Sequence, residues 1–168
     1  MNNTGKAYDL YWRLYNKNTE FKKLIDEGMR NHTIRFFEDE EWDKIKAQNF
    51  ISPDPRMKEF IDMFLLGFNI GNCGGTSLQL SYSYDDVDRV TGILPFLKGT
   101  LNAPNGGHQW LETKTHIIDT SLMLVIDKSL KSKFGYKEEV RIPSYKLNSD
   151  PRYQSRKEFT NDRSIRRK

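Results

Sequence analysis

The chain carries one cysteine, Cys73, set in Gly71-Asn72-Cys73-Gly74-Gly75-Thr76-Ser77. A lone cysteine forms no internal disulfide and supplies no thiolate cluster for zinc. Its neighbours therefore decide its role. Apolar residues at helical spacing precede it, and Leu78, Leu80 and Tyr82 follow, so a helix is predicted to resume at Cys73. A thiol in the first turn of a helix meets unpaired backbone N–H groups and the positive helix end. Both favour the thiolate, which is the nucleophilic form. The same N–H groups can receive an oxyanion during acyl transfer, and the flanking glycines let a substrate backbone come close. The plain alternative is a small buried hydrophobe.

A cysteine nucleophile needs a base, and three histidines compete for that role. His32 follows the first helical stretch, among Arg30, Asn31 and Thr33; a helix C-terminus is reason enough for it. His108 and His116 lie in two adjacent strand-like runs. With a two-residue loop at Thr113-Lys114, Leu111 faces His116, Trp110 faces Ile117, and His108 faces Asp119. Alternation then puts His108, Trp110, Ile117 and Asp119 on one face and His116 on the other. Opposed Cβ atoms are about 5 Å apart, close enough for a carboxylate to hold an imidazole nitrogen. Glu112 shares the face but lies roughly 13 Å along the strand, too far to orient the same ring. Thr-Lys is not a favoured two-residue turn, and a one-residue slip would part the pair. The competing interpretation is a surface histidine and an acidic turn residue.

Several elements must bring these groups together. Residues 8–29 are predicted to form one helix, with Thr4 available as a cap and Tyr11, Leu14, Tyr15, Phe21, Leu24, Ile25 and Met29 on its apolar side. A short helix is predicted over 39–48, with Trp42 and Ile45 inward. A third starts at a Ser52 cap, with Pro53 or Pro55 in its first turn and an apolar face from Met57 to Phe68. The Cys73 helix is predicted to end near Tyr82. Strands are predicted over 89–97, 108–112, 115–125 and 140–142, with a turn-rich loop at 101–107 before His108. Helices followed by strands indicate an α+β fold, N-terminal helices packed on an antiparallel sheet.

With 168 residues, 36% of them hydrophobic, the chain suits one domain with one core. No run of about 18 apolar residues occurs, so no membrane span is predicted. The start lacks the apolar stretch of a signal peptide, which points to a cytoplasmic location. The charge is uneven. Residues 148–168 hold five Arg and two Lys against three acidic residues, a net of +4 that equals the formal charge of the whole chain. Residues 1–147 are therefore expected to form the domain and 148–168 a flexible basic tail. Nucleic acid could be bound only through that tail, by Arg152, Arg156, Arg163, Arg166 and Arg167. No phosphate-cradling glycine motif is present. His116 on the opposite face argues against a metal shared with Cys73, His108 and Asp119, and no cofactor is expected.

Taken together, Gly71-Asn72-Cys73 opening a helix, Val90-Thr91-Gly92 in a strand, His108-Gln109-Trp110-Leu111-Glu112, and Ile118-Asp119-Thr120 resemble the transglutaminase-like superfamily. The resemblance spans about residues 65–126. It implies a papain-like core in which Cys73 is the nucleophile, His108 its base and Asp119 the residue that orients His108. The implied activity is thiol-dependent hydrolysis or acyl transfer at amide bonds of a peptide or protein substrate: peptidase, amidase, deamidase or transglutaminase chemistry through a thioester. Asn69 and Asn72 are candidates for a second oxyanion donor, and Trp110 is either a cleft wall or core. Two rival interpretations stand beside it: a non-catalytic binding module with the same fold, and a nucleic-acid or partner-binding protein acting through its tail.

Overall fold

The structure, a computed structural model, describes residues 9–49, 73–81, 83–100 and 103–144. The helix predicted from Ser52, the candidate donors Asn69 and Asn72, and the basic tail lie outside these residues.

The helix predicted over 8–29 is two helices, α1 (Asp9–Lys17) and α2 (Thr19–Arg30). Asn18 causes the break. Its backbone is extended, and its side-chain oxygen accepts the Phe21 N–H at 3.0 Å, capping α2. Tyr11, Phe21 and Ile25 are buried across the break, so the apolar spacing outlasts the change of direction. A three-residue strand, β1 (Ile34–Phe36), follows, and then α3 (Asp39–Asn49), close to its predicted span. Ile45 is buried and Trp42 packs beside it.

The second half is α4 (Cys73–Ser81), β2 (Asp88–Ile93), β3 (Gly107–Glu112), β4 (His116–Asp119), β5 (Leu124–Asp127), α5 (Lys131–Phe134) and β6 (Lys137–Ile142). The strand predicted over 89–97 stops at Ile93, and Pro95 opens a 3-10 turn that ends at Leu97. Proline has no N–H for a ladder and its fixed φ suits a first helical turn. The strand predicted over 115–125 is two strands, because residues 120–123 form a turn. Asp119 makes that turn: its Oδ1 accepts the N–H groups of Ser121 and Leu122, each at 3.0 Å.

The six strands form one antiparallel sheet in the order β1-β5-β4-β3-β2-β6. One face buries Val90, Trp110, Ile117, Leu124 and Ile126 against Tyr11, Phe21, Ile25 and Phe134. The other buries Leu111, Ile118 and Val125 against Ile45 and Leu80. The α+β class and the antiparallel sheet are as predicted, with helices on both faces. No described helix is long and apolar enough to cross a membrane.

Candidate active site

Each group of the site is delivered by a different element. The sequence from Cys73 to Ser81 is a poor helix former, with two glycines, a threonine and two serines. Tertiary bonds hold it instead. Thr76 Oγ1 and Thr120 Oγ1 are 2.8 Å apart in the interior, Ser77 Oγ lies 3.4 Å from Thr120 Oγ1, and Leu80 is fully buried. Gly74 lies against Gln109, where a Cβ would come within 3.2 Å of the amide nitrogen.

The β3–β4 hairpin is shifted from the predicted register. Leu111 pairs with Ile118 and Glu112 with Ile117, and Thr113 N–H reaches the His116 carbonyl at 2.9 Å. The loop is therefore Lys114-Thr115, not Thr113-Lys114, and His108 is not directly opposite Asp119. Thr113 is what moves it: its Oγ1 accepts the N–H groups of Thr115 and His116 at 3.2 and 3.0 Å, which fixes the turn one residue later. Moving the loop by one residue shifts the pairing by two, and two is the period of a strand. The faces are thus unchanged. His108 and Asp119 become diagonal neighbours on one face, still within side-chain reach. His108 Nε2–H donates to Asp119 Oδ2 at 2.8 Å, with both side chains buried. His116 turns the other way, its Nδ1 2.7 Å from Thr115 Oγ1.

Cys73 joins this pair because β4 is short. Before Leu111, β3 lacks a β4 neighbour because the chain turns away at Asp119. The backbone of Gln109 would otherwise be left without that strand. Its N–H favours the charged form of the Cys73 sulfur, and its carbonyl accepts from Ser77 Oγ at 3.4 Å. The start of α4 thus takes the place of missing strand, which brings the sulfur to the His108 ring. Each group stabilises the charged form of the other. With Nε2 committed to Asp119, Nδ1 is the ring nitrogen left for sulfur.

The electrostatics follow from these contacts. Burial disfavours charge on His108, but the Asp119 carboxylate and the Cys73 sulfur outweigh it and push its pKa up to about 10. Burial pushes the Cys73 thiol up, yet His108 and the Gln109 N–H bring it below the usual thiol range. Burial likewise raises Asp119, and His108, Tyr136 and the Leu122 N–H together hold it below the usual carboxylate range. A thiolate beside an imidazolium, backed by a carboxylate, is the charge state these shifts favour.

Several supporting groups escaped the sequence reading. Tyr136, just before β6, donates its hydroxyl to Asp119 Oδ2 at 2.7 Å. Trp110 is core rather than cleft wall, 0% exposed. It stacks on His108 with ring centroids 5.9 Å apart and donates Nε1–H to Glu112 Oε2 at 2.9 Å. Glu112 is buried as well, and meets Lys131 Nζ at 2.9 Å and Arg141 Nη2 at 3.1 Å. The spacing of Trp110 and Glu112 puts them on one face, which is a legible signal. Tyr136 offers none, because it comes from a separate element 17 residues after Asp119. Among the described residues, no group of three or more His, Cys, Asp or Glu side chains is arranged to hold a metal ion.

Compared with family models, with curated proteins and with solved structures, the chain matches none.

Proposed function

We propose that this protein is a thiol-dependent hydrolase or acyltransferase acting on amide bonds, built on a papain-like core of the transglutaminase-like kind. One observation carries the proposal: a buried imidazole is held by a carboxylate through Nε2 at 2.8 Å and is coupled to a sulfur at the head of a helix, with Nδ1 left free of the carboxylate. A structural cysteine needs no such partner, and a surface histidine would not be buried on a carboxylate that, among the described residues, pairs with no other cation.

In the proposed reaction the Cys73 thiolate adds to an amide or ester carbonyl, and the carbonyl electron pair moves onto oxygen. The Cys73 backbone N–H receives that oxyanion; Asn69 and Asn72 are the candidates for a second donor. Collapse breaks the carbon–nitrogen bond, and His108 gives the Nδ1 proton to the leaving amine. A thioester on Cys73 remains. Water, deprotonated by His108, then releases an acid, or an amine acceptor forms a new amide. Asp119 fixes the ring through Nε2 in both steps. The substrate class in this reading is a peptide or protein.

The test is to incubate the protein with a broad peptide mixture, quench with acid, and measure the intact mass. An acyl adduct on Cys73, absent from Cys73→Ala, is the expected result. An unmodified chain under conditions where products accumulate would overturn the thioester route.

A further inference from the structure

Tyr136 lies outside the stretch that carries the family resemblance, yet its hydroxyl reaches the oxygen that holds His108. Asp119 Oδ2 accepts from two donors, His108 Nε2–H at 2.8 Å and Tyr136 O–H at 2.7 Å. Oδ1 is occupied by backbone N–H groups. The tyrosine is itself fixed. Its ring packs 4.9 Å from Trp110 and 6.0 Å from Phe134, and Gly135, with φ of 83°, ends α5 and turns the chain toward it. A side chain held that firmly contributes a directed dipole, not a chance contact.

We infer that Tyr136 is a positioning residue that limits how strongly Asp119 holds the proton on His108, and so keeps the imidazolium acidic enough to pass that proton to a leaving amine. This rests on the proposed acyl-transfer role of Cys73. The physical reason is competition at one oxygen. The hydroxyl hydrogen partly neutralises Oδ2, and its positive end lies beside the ring N–H. Both effects disfavour the imidazolium relative to neutral imidazole. Burial and the Asp119 charge raise the phenol well above its ordinary range, so it remains a donor wherever the site works. The titratable groups facing this spot are Cys73 from α4, His108 and, further along, Glu112 from β3, Asp119 from β4, and Tyr136 itself. Lys131 and Arg141 pair with Glu112 rather than with Asp119.

Loss of the Tyr136 hydroxyl and loosened packing move the Cys73 titration in opposite directions. In Tyr136→Phe, Asp119 acts on His108 alone, the imidazolium is stabilised, and Cys73 ionises at lower pH. The acid limb of Cys73 alkylation by iodoacetamide should move down by about half a pH unit, roughly a threefold rate gain at a fixed pH on that limb. Turnover should fall, because the imidazolium is a poorer acid. Simple loosening of Asp119 would instead weaken the pair and move the limb up. Should the Phe variant fail to fold, 3,5-difluorotyrosine at position 136 strengthens the donor and should move the limb up. A limb that is unmoved, or moves opposite to these directions, overturns the inference. Asp119→Asn, run alongside, should move the limb up. If that variant leaves the limb in place too, the acyl-transfer reading itself fails.

Discussion

Asp119 holds His108 with one carboxylate oxygen and turns its own chain with the other. Oδ2 receives the ring N–H at 2.8 Å, while Oδ1 receives Ser121 and Leu122 N–H at 3.0 Å. The turn ends β4 early, and the early end makes room for the start of α4 beside Gln109. One side chain therefore creates the opening for the sulfur and fixes the imidazole of His108.

The two oxygens can be separated by substitution. Asn at position 119 retains an oxygen for the turn but presents an N–H₂ group to Nε2. The ring must then accept at Nε2 and carry its proton on Nδ1, facing the sulfur. Thioester formation should fall on the order of 10⁴-fold, with a stability loss of about 1–3 kcal/mol. Asp119→Ala removes both functions and should cost about 3–5 kcal/mol. Urea unfolding and a single-turnover acylation assay measure the two effects. An Asn variant that acylates within a few fold of the parent would contradict the assigned role.

Gly92 tests the sheet beneath the site. It pairs with His108 across β2 and β3, at the irregularity between β2 and β6. A Cβ there would lie 2.0 Å from the Lys137 carbonyl oxygen and 3.0 Å from Trp110 Cη2. Backbone cannot retreat as a flexible side chain can. Gly92→Ala should cost about 1–3 kcal/mol and lower Cys73 reactivity through Trp110 and His108. Gly107→Ala, whose Cβ meets no described atom within 4 Å, should change stability by no more than about 0.5 kcal/mol. Thermal unfolding of the two variants decides the matter; equal losses would contradict this packing.

Glu112 gives the account a pH dependence. Burial raises its carboxyl, but Lys131, the Trp110 N–H and Arg141 outweigh burial and hold it below the usual range. A depressed carboxyl stabilises the fold above its unfolded pKa of about 4.3, and the contribution fades as pH falls through the lower folded value. Glu112→Gln should therefore be less stable than the parent by about 3 kcal/mol at neutral pH. The gap should narrow in acid, below pH ~4. Denaturant titrations at the two pH values measure it. A gap independent of pH would show that the charge is irrelevant.

The parts of this site that were legible in the sequence are those set by short-range rules. Strand alternation placed His108, Trp110 and Asp119 on one face, and that survived a wrong loop because the pairing moved by an even number of residues. Helical spacing found the buried side of α1 and α2 but not the cap at Asn18 between them. The longest predicted strand failed at Asp119. There a side-chain turn overrode a run of apolar residues, and nothing in residue type distinguishes a carboxylate facing a ring from one facing backbone. The contacts of Thr76 with Thr120 and of Tyr136 with Asp119 join residues 44 and 17 positions apart. No periodicity reports such pairs. The Gly-Gly-Thr-Ser run after Cys73 makes sense only once Thr120 and Gln109 are seen against it.

The account stands on a sulfur whose charge is set by the neighbouring ring, and the pH dependence of Cys73 alkylation tests that most directly. The thiolate reacts and the thiol does not, so the rate follows ionisation. In the intact protein the rate should rise at a pH below the ordinary thiol value of about 8.5 and change again as His108 loses its proton, near pH 10. In His108→Gln burial and the Asp119 charge oppose the thiolate with only the Gln109 N–H in its favour, and the rise should move up, to about 8.5 or above. A single titration at or above that value in the intact protein, unchanged in the variant, would contradict the account.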